Sequence, residues 1–355
     1  MRLHLNGVVL PDGEHQDLWV VDGVLRTEPV ADAETIGTGL WLMPGLVDAH
    51  CHVGLEAHGA VSDARAEQHA LADRAAGGLL LRDAGSPADT RWMDERADLP
   101  RIIRAGRHIA RPRRYLRNYG AEVEPEELVA EVERQAARSD GWIKLVGDWI
   151  DRDIGDLSPL WPVQAARAAI TRAHELGCRV TAHVFGEQAL AELVEAGIDG
   201  IEHGTGLTDE TIRLMAERQV ALVPTMLQLE NFEMFARAGE AKFPAYARHL
   251  RALYAGRIER FGRAWEAGVP IYAGTDAGGQ LPHGLVGQEI AALAEFSSPA
   301  YALGAGSWRA RAWLGRPDRL VEGAPADLVA FDRDPRDDLE VLRHPRLILL
   351  RGTVV

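Results

Sequence analysis

The sequence predicts an α/β fold in which strands and helices alternate through the middle of the chain and short strands occupy both ends. Between residues 43 and 317, short apolar runs alternate with longer charged stretches of helical character. Eight such runs with helices between them, over roughly 250 residues, predict a (β/α)8 TIM barrel. With 355 residues, of which 46% are hydrophobic, the chain is long enough for one large and one small domain.

The two ends of the chain share a β-rich character. Residues 3–10 alternate between apolar and polar side chains before a turn at 11–13, and residues 18–25 have a strand–turn–strand pattern. Apolar runs at 327–331 and 347–350 predict strands near the C-terminus. We therefore predict a small composite β-sandwich domain formed by both termini, beside the barrel. The predicted ranges are 1–42 and 318–355 for the sandwich and 43–317 for the barrel.

The barrel strands are predicted in order along the chain. The first contains Pro44-Gly45-Leu46-Val47-Asp48-Ala49-His50-Cys51-His52, and the others lie at 78–83, 101–106, 142–146, 179–184, 200–203, 220–224 and 270–276. Helices are predicted at 62–77, 126–138, 162–176, 208–218 and 242–267. Pro125 suits the first turn of the second helix, and Gly177 ends the third.

Composition and charge exclude several classes of function. A net charge of −14 argues against general affinity for nucleic acid or for anionic membranes. No apolar run approaches the length of a membrane span, and residues 1–5 lack a signal-peptide core, so we expect a cytoplasmic protein. The two cysteines, Cys51 and Cys178, do not form the pattern of a disulfide framework.

Two histidines separated by one residue lie at the end of the first predicted strand. His50 and His52 should project from the same face, where two imidazoles can bind a metal ion. Taken alone, such a pair is more often solvated or part of a core. Four further candidates stand near the ends of strands 4, 5, 6 and 8, namely Lys144, His183, His203 and Asp276. Since active sites of such barrels lie at the C-terminal ends of the strands, the whole set predicts a metal centre there.

With these motifs, nearly the whole chain resembles the amidohydrolase superfamily of metal-dependent hydrolases. The spacing is most similar to the imidazolonepropionase-like branch, which includes Xaa-Pro dipeptidase-like enzymes. The motifs that carry the resemblance are the first barrel strand, Ile143-Lys144-Leu145, Thr181-Ala182-His183, Ile201-Glu202-His203-Gly204-Thr205, Ala273-Gly274-Thr275-Asp276-Ala277 and the tail from Glu322 to Val329.

The resemblance implies a role for each motif residue. His50, His52 and Asp276 would bind one divalent metal ion, His183 and His203 a second, and Lys144, carbamylated by carbon dioxide, would bridge both. The ions would most simply be Zn²⁺, and a metal-bridging hydroxide would be the nucleophile. Asp276 would be the catalytic proton shuttle. An ordinary lysine at the mouth of a one-metal barrel remains the alternative for Lys144.

Candidates for substrate binding follow other strands. They are His283 after strand 8, Trp149 after strand 4, Tyr115 after strand 3 and Gln228 after strand 7. Residues 101–117 also hold seven arginines, which either bind a substrate carboxylate or form a solvated basic face. The segment 223–229 lacks the tyrosine that dipeptidase-like relatives would have near Leu229 as a carboxylate anchor.

The predicted function is hydrolysis of an amide-type C–N bond in a small molecule, such as a dipeptide, an N-acyl amino acid, a carbamate or a lactam. A mononuclear cyclic-amide hydrolase or deaminase on the same barrel is the second hypothesis. A non-catalytic metal-binding scaffold is the third. No nucleic-acid or membrane partner is expected, and self-association into a homo-oligomer is left open.

Overall fold

A computed structural model describes residues 2–355 of the chain. Its strands are β1 (Arg2–Val9), β2 (Glu14–Val21), β3 (Val24–Arg26), β4 (Glu34–Pro44), β5 (Leu46–Cys51), β6 (Leu55–Glu56), β7 (Gly59–Ala60), β8 (Gly78–Asp83), β9 (Arg101–Arg104), β10 (Ile109–Ala110), β11 (Ala121–Glu122), β12 (Trp142–Val146), β13 (Asp148–Asp151), β14 (Asp156–Pro159), β15 (Arg179–Val184), β16 (Gly200–His203), β17 (Ala221–Val223), β18 (Leu328–Phe331), β19 (Leu347–Leu350) and β20 (Thr353–Val354).

The α-helices are α1 (Asp63–Ala75), α2 (Leu128–Ala136), α3 (Val163–Glu175), α4 (Glu187–Ala196), α5 (Asp209–Arg218), α6 (Met226–Leu229), α7 (Phe232–Glu240), α8 (Pro244–Ala255), α9 (Arg257–Glu266), α10 (Val286–Leu293), α11 (Pro299–Ala305) and α12 (Trp308–Trp313). Short 3-10 helices span Arg91–Glu95, Pro125–Glu127 and Leu339–Arg343. No helix within residues 2–355 is long and apolar enough to cross a membrane.

Strands from both ends of the chain pair in one seven-stranded sheet, in the order β20-β19-β18-β4-β1-β2-β3. β4 runs antiparallel to β18, with Leu42 opposite Ala330. The alternating residues of β1 that are buried, Leu3 and Leu5, share an apolar cluster with Leu328 and other residues of the C-terminal strands. The two termini therefore fold together. β4 extends two residues past the predicted boundary at residue 42.

The central strands are parallel and follow the predicted order. β5, β8 and β9 form one sheet, and β10, β12, β15, β16 and β17 follow one another in a second. A backbone hydrogen bond of 2.8 Å from Asp140 to Arg104 connects the segment before β12 with β9. On the other side, the chain at 270–277 lies between β17 and β5, through hydrogen bonds from Tyr272 to Leu222 and from Ala49 to Ala273.

The eighth predicted strand, 270–276, lies in this place without forming a regular strand. Its contacts are isolated bridges, such as Leu222 with Ile271. At Gly274 an added Cβ would lie 2.5 Å from the Val223 side chain and 2.7 Å from His50. Asp276 has a φ of 58°, in the left-handed region. This close approach and the turn of the backbone at Asp276 interrupt the regular ladder.

Several predicted helices are confirmed in place and others are corrected. The helices α1, α2, α3 and α5 lie within the predicted ranges. The single helix predicted at 242–267 is two helices, α8 and α9, which meet at Gly256. Helices α4, α6, α7, α10, α11 and α12 and the hairpin β13–β14 were not predicted. The hairpin matters for function because it carries Trp149 next to the ends of the central strands.

Candidate metal centre

The ends of the parallel strands bring the predicted ligands together. In the ladders, Val146 lies opposite His183 and Val184 opposite His203, so β12, β15 and β16 end at the same level. The apolar residues of these strands are buried, which fixes the direction of the polar side chains between them. All six predicted ligands occupy this end, namely His50, His52, Lys144, His183, His203 and Asp276.

The first group consists of His50, His52 and Asp276, whose possible ligand atoms all lie within 4.8 Å of one another. Asp276 Oδ1 is 3.0 Å from His50 Nε2 and 2.9 Å from His52 Nε2. The other nitrogen of His52, Nδ1, is 2.7 Å from the Gly85 carbonyl oxygen, to which it donates. That hydrogen bond leaves Nε2 with its lone pair directed at the group, as a metal ligand requires.

The second group consists of His183 and His203. His183 Nδ1 and His203 Nε2 are 3.0 Å apart. His183 Nε2 is buried and has no hydrogen-bond partner among the described residues. The two groups adjoin, because the ring centroids of His50 and His203 are 5.6 Å apart.

Lys144 lies beside both groups and contacts the carboxylate of Glu202. Glu202 is fully buried, accepts a hydrogen bond of 3.0 Å from Thr181, and has its Oε1 3.5 Å from His50 Nδ1. Arg82 is 3.4 Å from the same oxygen. Glu202 stands within a quoted motif, yet sequence reasoning gave it no role. Its signal was a charged residue inside an apolar strand, which requires a buried partner.

The electrostatics favour neutral ligands. Burial, reinforced by the charge of Lys144, lowers the pKa of His50 and of His183 well below the usual value, so both imidazoles are uncharged at neutral pH. Burial lowers the pKa of Lys144 to about 7. Burial alone would raise the pKa of Asp276, but the adjacent His50 and His52 hold it well below its usual value, so Asp276 is ionised.

A further histidine near the centre was not predicted. His108 is fully buried, its ring stacks on that of His52 at 4.9 Å, and neither ring nitrogen has a hydrogen-bond partner among the described residues. Burial lowers its pKa well below the usual value. It directly precedes β10 and so lies at the N-terminal end of that strand, which the search for histidines at the C-terminal ends of strands did not include.

A cavity of about 340 Å³ opens from the metal centre. His52, His183, His203 and Asp276 line its inner end. Of the predicted substrate-binding residues, Tyr115, Trp149 and Gln228 line it as well. The rest of the wall is mostly apolar or aromatic, formed by Leu116, Tyr119, Ile150, Phe185, Phe235, Ala238, Gly239, Phe243, Tyr246, Gly279 and Gln280.

The structure places His283, which was predicted to contact substrate, outside the lining of this cavity. His283 is not among the lining residues, and its Nδ1 is 2.7 Å from the buried Asp73 carboxylate. Its ring stacks on His69 at 4.3 Å. Because a buried carboxylate needs a charged or hydrogen-bonding partner, the loop after the eighth strand folds back to supply one.

The comparisons identify the family. The model of the amidohydrolase family matches residues 41–355. The chain belongs to the amidohydrolase family. This confirms the resemblance drawn from the motifs, and the protein is an amidohydrolase. An uncharacterised protein of Mycobacterium tuberculosis strain H37Rv is 56% identical over 354 residues, which cover 99% of this chain and 95% of that protein.

Two further proteins are similar to this chain at lower identity. Ochratoxinase of Aspergillus niger is 29% identical over 175 residues, 48% of this chain and 35% of that protein. Its crystal structure matches 99% of this chain and 95% of its own with a TM-score of 0.78 and 20% identity. A Xaa-Pro dipeptidase with methionine bound in its active site matches 100% of both chains with a TM-score of 0.83 and 21% identity. The amidohydrolase thus has the fold of these enzymes.

Proposed function

We propose that this amidohydrolase is a metal-dependent hydrolase of amide-type C–N bonds in a small molecule, built on a (β/α)8 barrel. One observation carries the proposal: the group of His50, His52 and Asp276 adjoins the pair of His183 and His203 at the inner end of a cavity. The names of two relatives, ochratoxinase and Xaa-Pro dipeptidase, support hydrolysis as the reaction. The candidate substrates belong to four classes: dipeptides, N-acyl amino acids, carbamates and lactams.

The donor set fits divalent metal ions, most simply Zn²⁺. Neutral imidazoles and an ionised carboxylate are ligands that zinc prefers, and His183 Nδ1 and His203 Nε2 face each other 3.0 Å apart, as two ligands of one ion would. His50, His52 and Asp276 would hold one ion, and His183 and His203 the second. Ions bound there would polarise the substrate carbonyl and make hydroxide available near neutral pH.

Lys144 completes the two-metal form of the proposal as a carbamate. Carbon dioxide reacts with a neutral amine, forming an N–C bond and releasing one proton, and burial lowers the pKa of Lys144 to about 7. A substantial fraction of the amine is therefore neutral at neutral pH. The product is a carboxylate on a long side chain, which can ligate a cation where an ammonium cannot.

The contact between Lys144 and Glu202 favours a second candidate, a mononuclear enzyme. In that form Lys144 stays an ammonium ion, paired with Glu202, and only the group of His50, His52 and Asp276 holds metal. The two forms differ in metal content per chain and in their dependence on carbon dioxide.

In either form the chain moves the proton through Asp276. Its carboxylate touches the two histidines of the first group and also lines the cavity, so it reaches both the metal site and a bound substrate. It would accept the proton released as the nucleophile attacks and give it to the leaving nitrogen. Tyr115 and Trp149, on the cavity wall, would orient the substrate and exclude water.

The test combines metal analysis with an amide panel. Protein purified with zinc supplied should hold about two ions per chain for the two-metal form, and it should hydrolyse at least one of the four substrate classes. Lys144→Ala should lose the second ion and most turnover, and small carboxylates should partly restore both. One ion with full activity favours the mononuclear candidate. A metal-loaded protein that hydrolyses no amide contradicts the proposal.

A further inference from the structure

The wall of the cavity is aromatic from the metal centre outwards. Tyr115 lies 5.7 Å from the ring of His183 and 4.9 Å from that of Trp149, with Tyr119 at 6.1 Å on its other side. Phe235 also lines the cavity. The rings come from four separate parts of the chain: the segment after β10, the hairpin β13–β14, Phe185 directly after β15, and helices α7 and α8 with the residues between them. We define the aromatic wall as the rings of the lining residues Tyr115, Tyr119, Trp149, Phe185, Phe235, Phe243 and Tyr246.

Away from the metal centre, the described residues that line this cavity include no Lys or Arg that could bind a carboxylate. Among its lining residues, all within the described range 2–355, Asp276 is the only one that is Asp, Glu, Lys or Arg. Arg114, adjacent to Tyr115 in sequence, is held elsewhere. Its Nη1 donates to Asp151 at 2.9 Å, and its Nη2 donates to the Ser158 hydroxyl at 2.8 Å and to the Trp149 carbonyl at 3.3 Å.

One exposed lysine stands near the mouth. Lys242 Nζ lies 5.1 Å from the ring centroid of Phe243, and Lys242 is not among the lining residues. The neutral polar groups that line the cavity include the amides of Gln228 and Gln280 and the hydroxyls of three tyrosines, Tyr115, Tyr119 and Tyr246. Gln228 is already fixed, because its Oε1 accepts a hydrogen bond of 2.8 Å from Asn231.

This distribution sets a preference between substrates of similar size. A substrate carboxylate placed away from the metal end of the cavity would lose its hydration and gain no cationic side chain as a partner. A neutral aromatic ring would bury apolar surface against the aromatic wall and gain edge-to-face contacts. Contacts far from the scissile bond accelerate the reaction when they also orient the substrate at the reacting atoms.

We propose that the amidohydrolase acts on neutral amides that carry an aromatic group beside the scissile bond, in preference to dipeptides and N-acyl amino acids. The inference rests on the proposed function and narrows it, because it removes the two carboxylate-bearing classes from the four. The site is a specificity pocket formed by the aromatic wall, with the scissile bond at the metal end.

The test uses two substrates that differ by one carboxylate. N-(2-naphthyl)benzamide and its 6-carboxylate derivative release fluorescent amines, so kcat/KM can be measured for both with the metal-loaded enzyme. We expect the neutral substrate to be favoured by roughly tenfold or more, because the buried carboxylate finds no cationic side chain. The amine products, 2-naphthylamine and 6-amino-2-naphthoate, are also titrated by calorimetry, which reads the preference without turnover.

Three variants distinguish the role of the cavity from that of its mouth. Gln280 is exposed and lines the cavity, so Gln280→Arg places a cation there without burying it. This variant should raise kcat/KM for the carboxylate substrate and so reduce or invert the preference for the neutral substrate. Lys242→Gln is the matched control at the mouth and should change kcat/KM for neither substrate. Phe235→Ala should raise KM for the neutral substrate more than it lowers kcat.

The outcomes distinguish a failure of this inference from a failure of the proposed function. Equal or better hydrolysis of the carboxylate substrate by the unaltered enzyme overturns the inference. So does a selective loss of that substrate in Lys242→Gln, because Lys242 would then be a carboxylate anchor. If neither amide is hydrolysed, the proposed function fails on these substrates, and the calorimetric preference of the cavity still supports or overturns the inference.

Discussion

His203 Nδ1 lies 2.7 Å from the hydroxyl of Thr225, and that hydroxyl also donates to the Pro224 carbonyl at 2.8 Å. The threonine oxygen can therefore only accept from His203, which fixes the proton on Nδ1 and leaves the lone pair on Nε2. Thr225 has a φ of 51°, and His203 a φ of 64°, so both residues of this contact have left-handed backbones at the ends of their strands. The contact orients His203 towards His183.

Replacing this acceptor tests the orientation of His203. Thr225→Val keeps the shape of the side chain and removes the oxygen, so we expect the second metal ion to bind roughly 10–100-fold more weakly, with the first ion unaffected. Metal titration followed by calorimetry measures both affinities. Thr211→Val is the control, since Thr211 is equally buried but its hydroxyl caps α5. A similar loss of metal in the control would mean that the effect is general destabilisation.

Asp276→Asn tests the proton shuttle. The amide oxygen can still coordinate weakly, so much of the metal should remain, but the side chain can no longer accept a proton. We expect turnover to fall on the order of 10²–10⁴-fold, mainly in kcat. Steady-state kinetics with metal content measured on the same samples provides the check. Near-normal kcat with full metal would place the proton shuttle on another residue.

His283 is expected to stabilise the fold and to have no direct part in turnover. Burial opposes its protonation, but the Asp73 carboxylate raises the pKa of His283 above its usual value. The resulting stability is present below the pKa of an unfolded histidine and is lost as the pH rises through the higher folded value. His283→Asn should therefore lower the free energy of unfolding by about 1–3 kcal/mol, more at pH 5 than at pH 9.

Denaturant unfolding at both pH values measures this loss, and Asp73→Asn should show the same trend because it removes the partner. KM for a good substrate should stay within about twofold in His283→Asn, since the side chain lies outside the cavity. A large rise in KM without loss of stability would restore His283 as a substrate-binding residue.

Glu289 gives a second pH dependence of stability, which originates in the burial of an acidic side chain. This fully buried residue of α10 accepts hydrogen bonds from the Met226 and Leu227 backbone amides at 2.7 and 3.0 Å, and burial raises its pKa to about 8. Between the unfolded pKa and about 8, the unfolded chain has released the proton that the folded chain retains. The contribution of Glu289 to stability therefore falls as the pH rises through this range.

Comparison with Glu289→Gln isolates that contribution, because other buried acids titrate equally in both proteins. The Tm of the unaltered enzyme should exceed that of the variant at pH 5 by a few degrees, and the difference should shrink by pH 8. Thermal unfolding followed by circular dichroism at both pH values is sufficient. A difference that is constant with pH would show that Glu289 does not titrate in this range.

Sequence patterns located the elements that depend on local signals. Apolar runs bounded by turns located the strands that carry His50, Lys144, His183 and His203. The sequence patterns did not predict the helix break at Gly256 or the irregular backbone at 270–277. Both features depend on packing against residues that are distant in sequence. Helix α4 was also missed, although Gly197 ends it with a left-handed cap.

The candidate site likewise contains residues that the sequence could predict and residues that it could not. Six proposed ligands could be read from residue type and position at strand ends. Glu202 and His108 could not, because their significance is the partner that each has or lacks in three dimensions. His283 had a suitable residue type and position in sequence, but burial of Asp73 draws it away from the cavity.

Because β4 pairs with β18, the seven-stranded sheet can be completed only after the C-terminal strands have been synthesised. β4 leads directly into β5, which carries His50, yet the edge of β4 from Trp41 to Pro44 is covered only by residues 328–331, which are made nearly 300 residues later. A fragment that ends before residue 328 would expose this edge, and exposed strand edges promote association between chains. We expect nascent or proteolysed chains lacking β18 to aggregate, so the C-terminal strands protect a segment that was translated long before them.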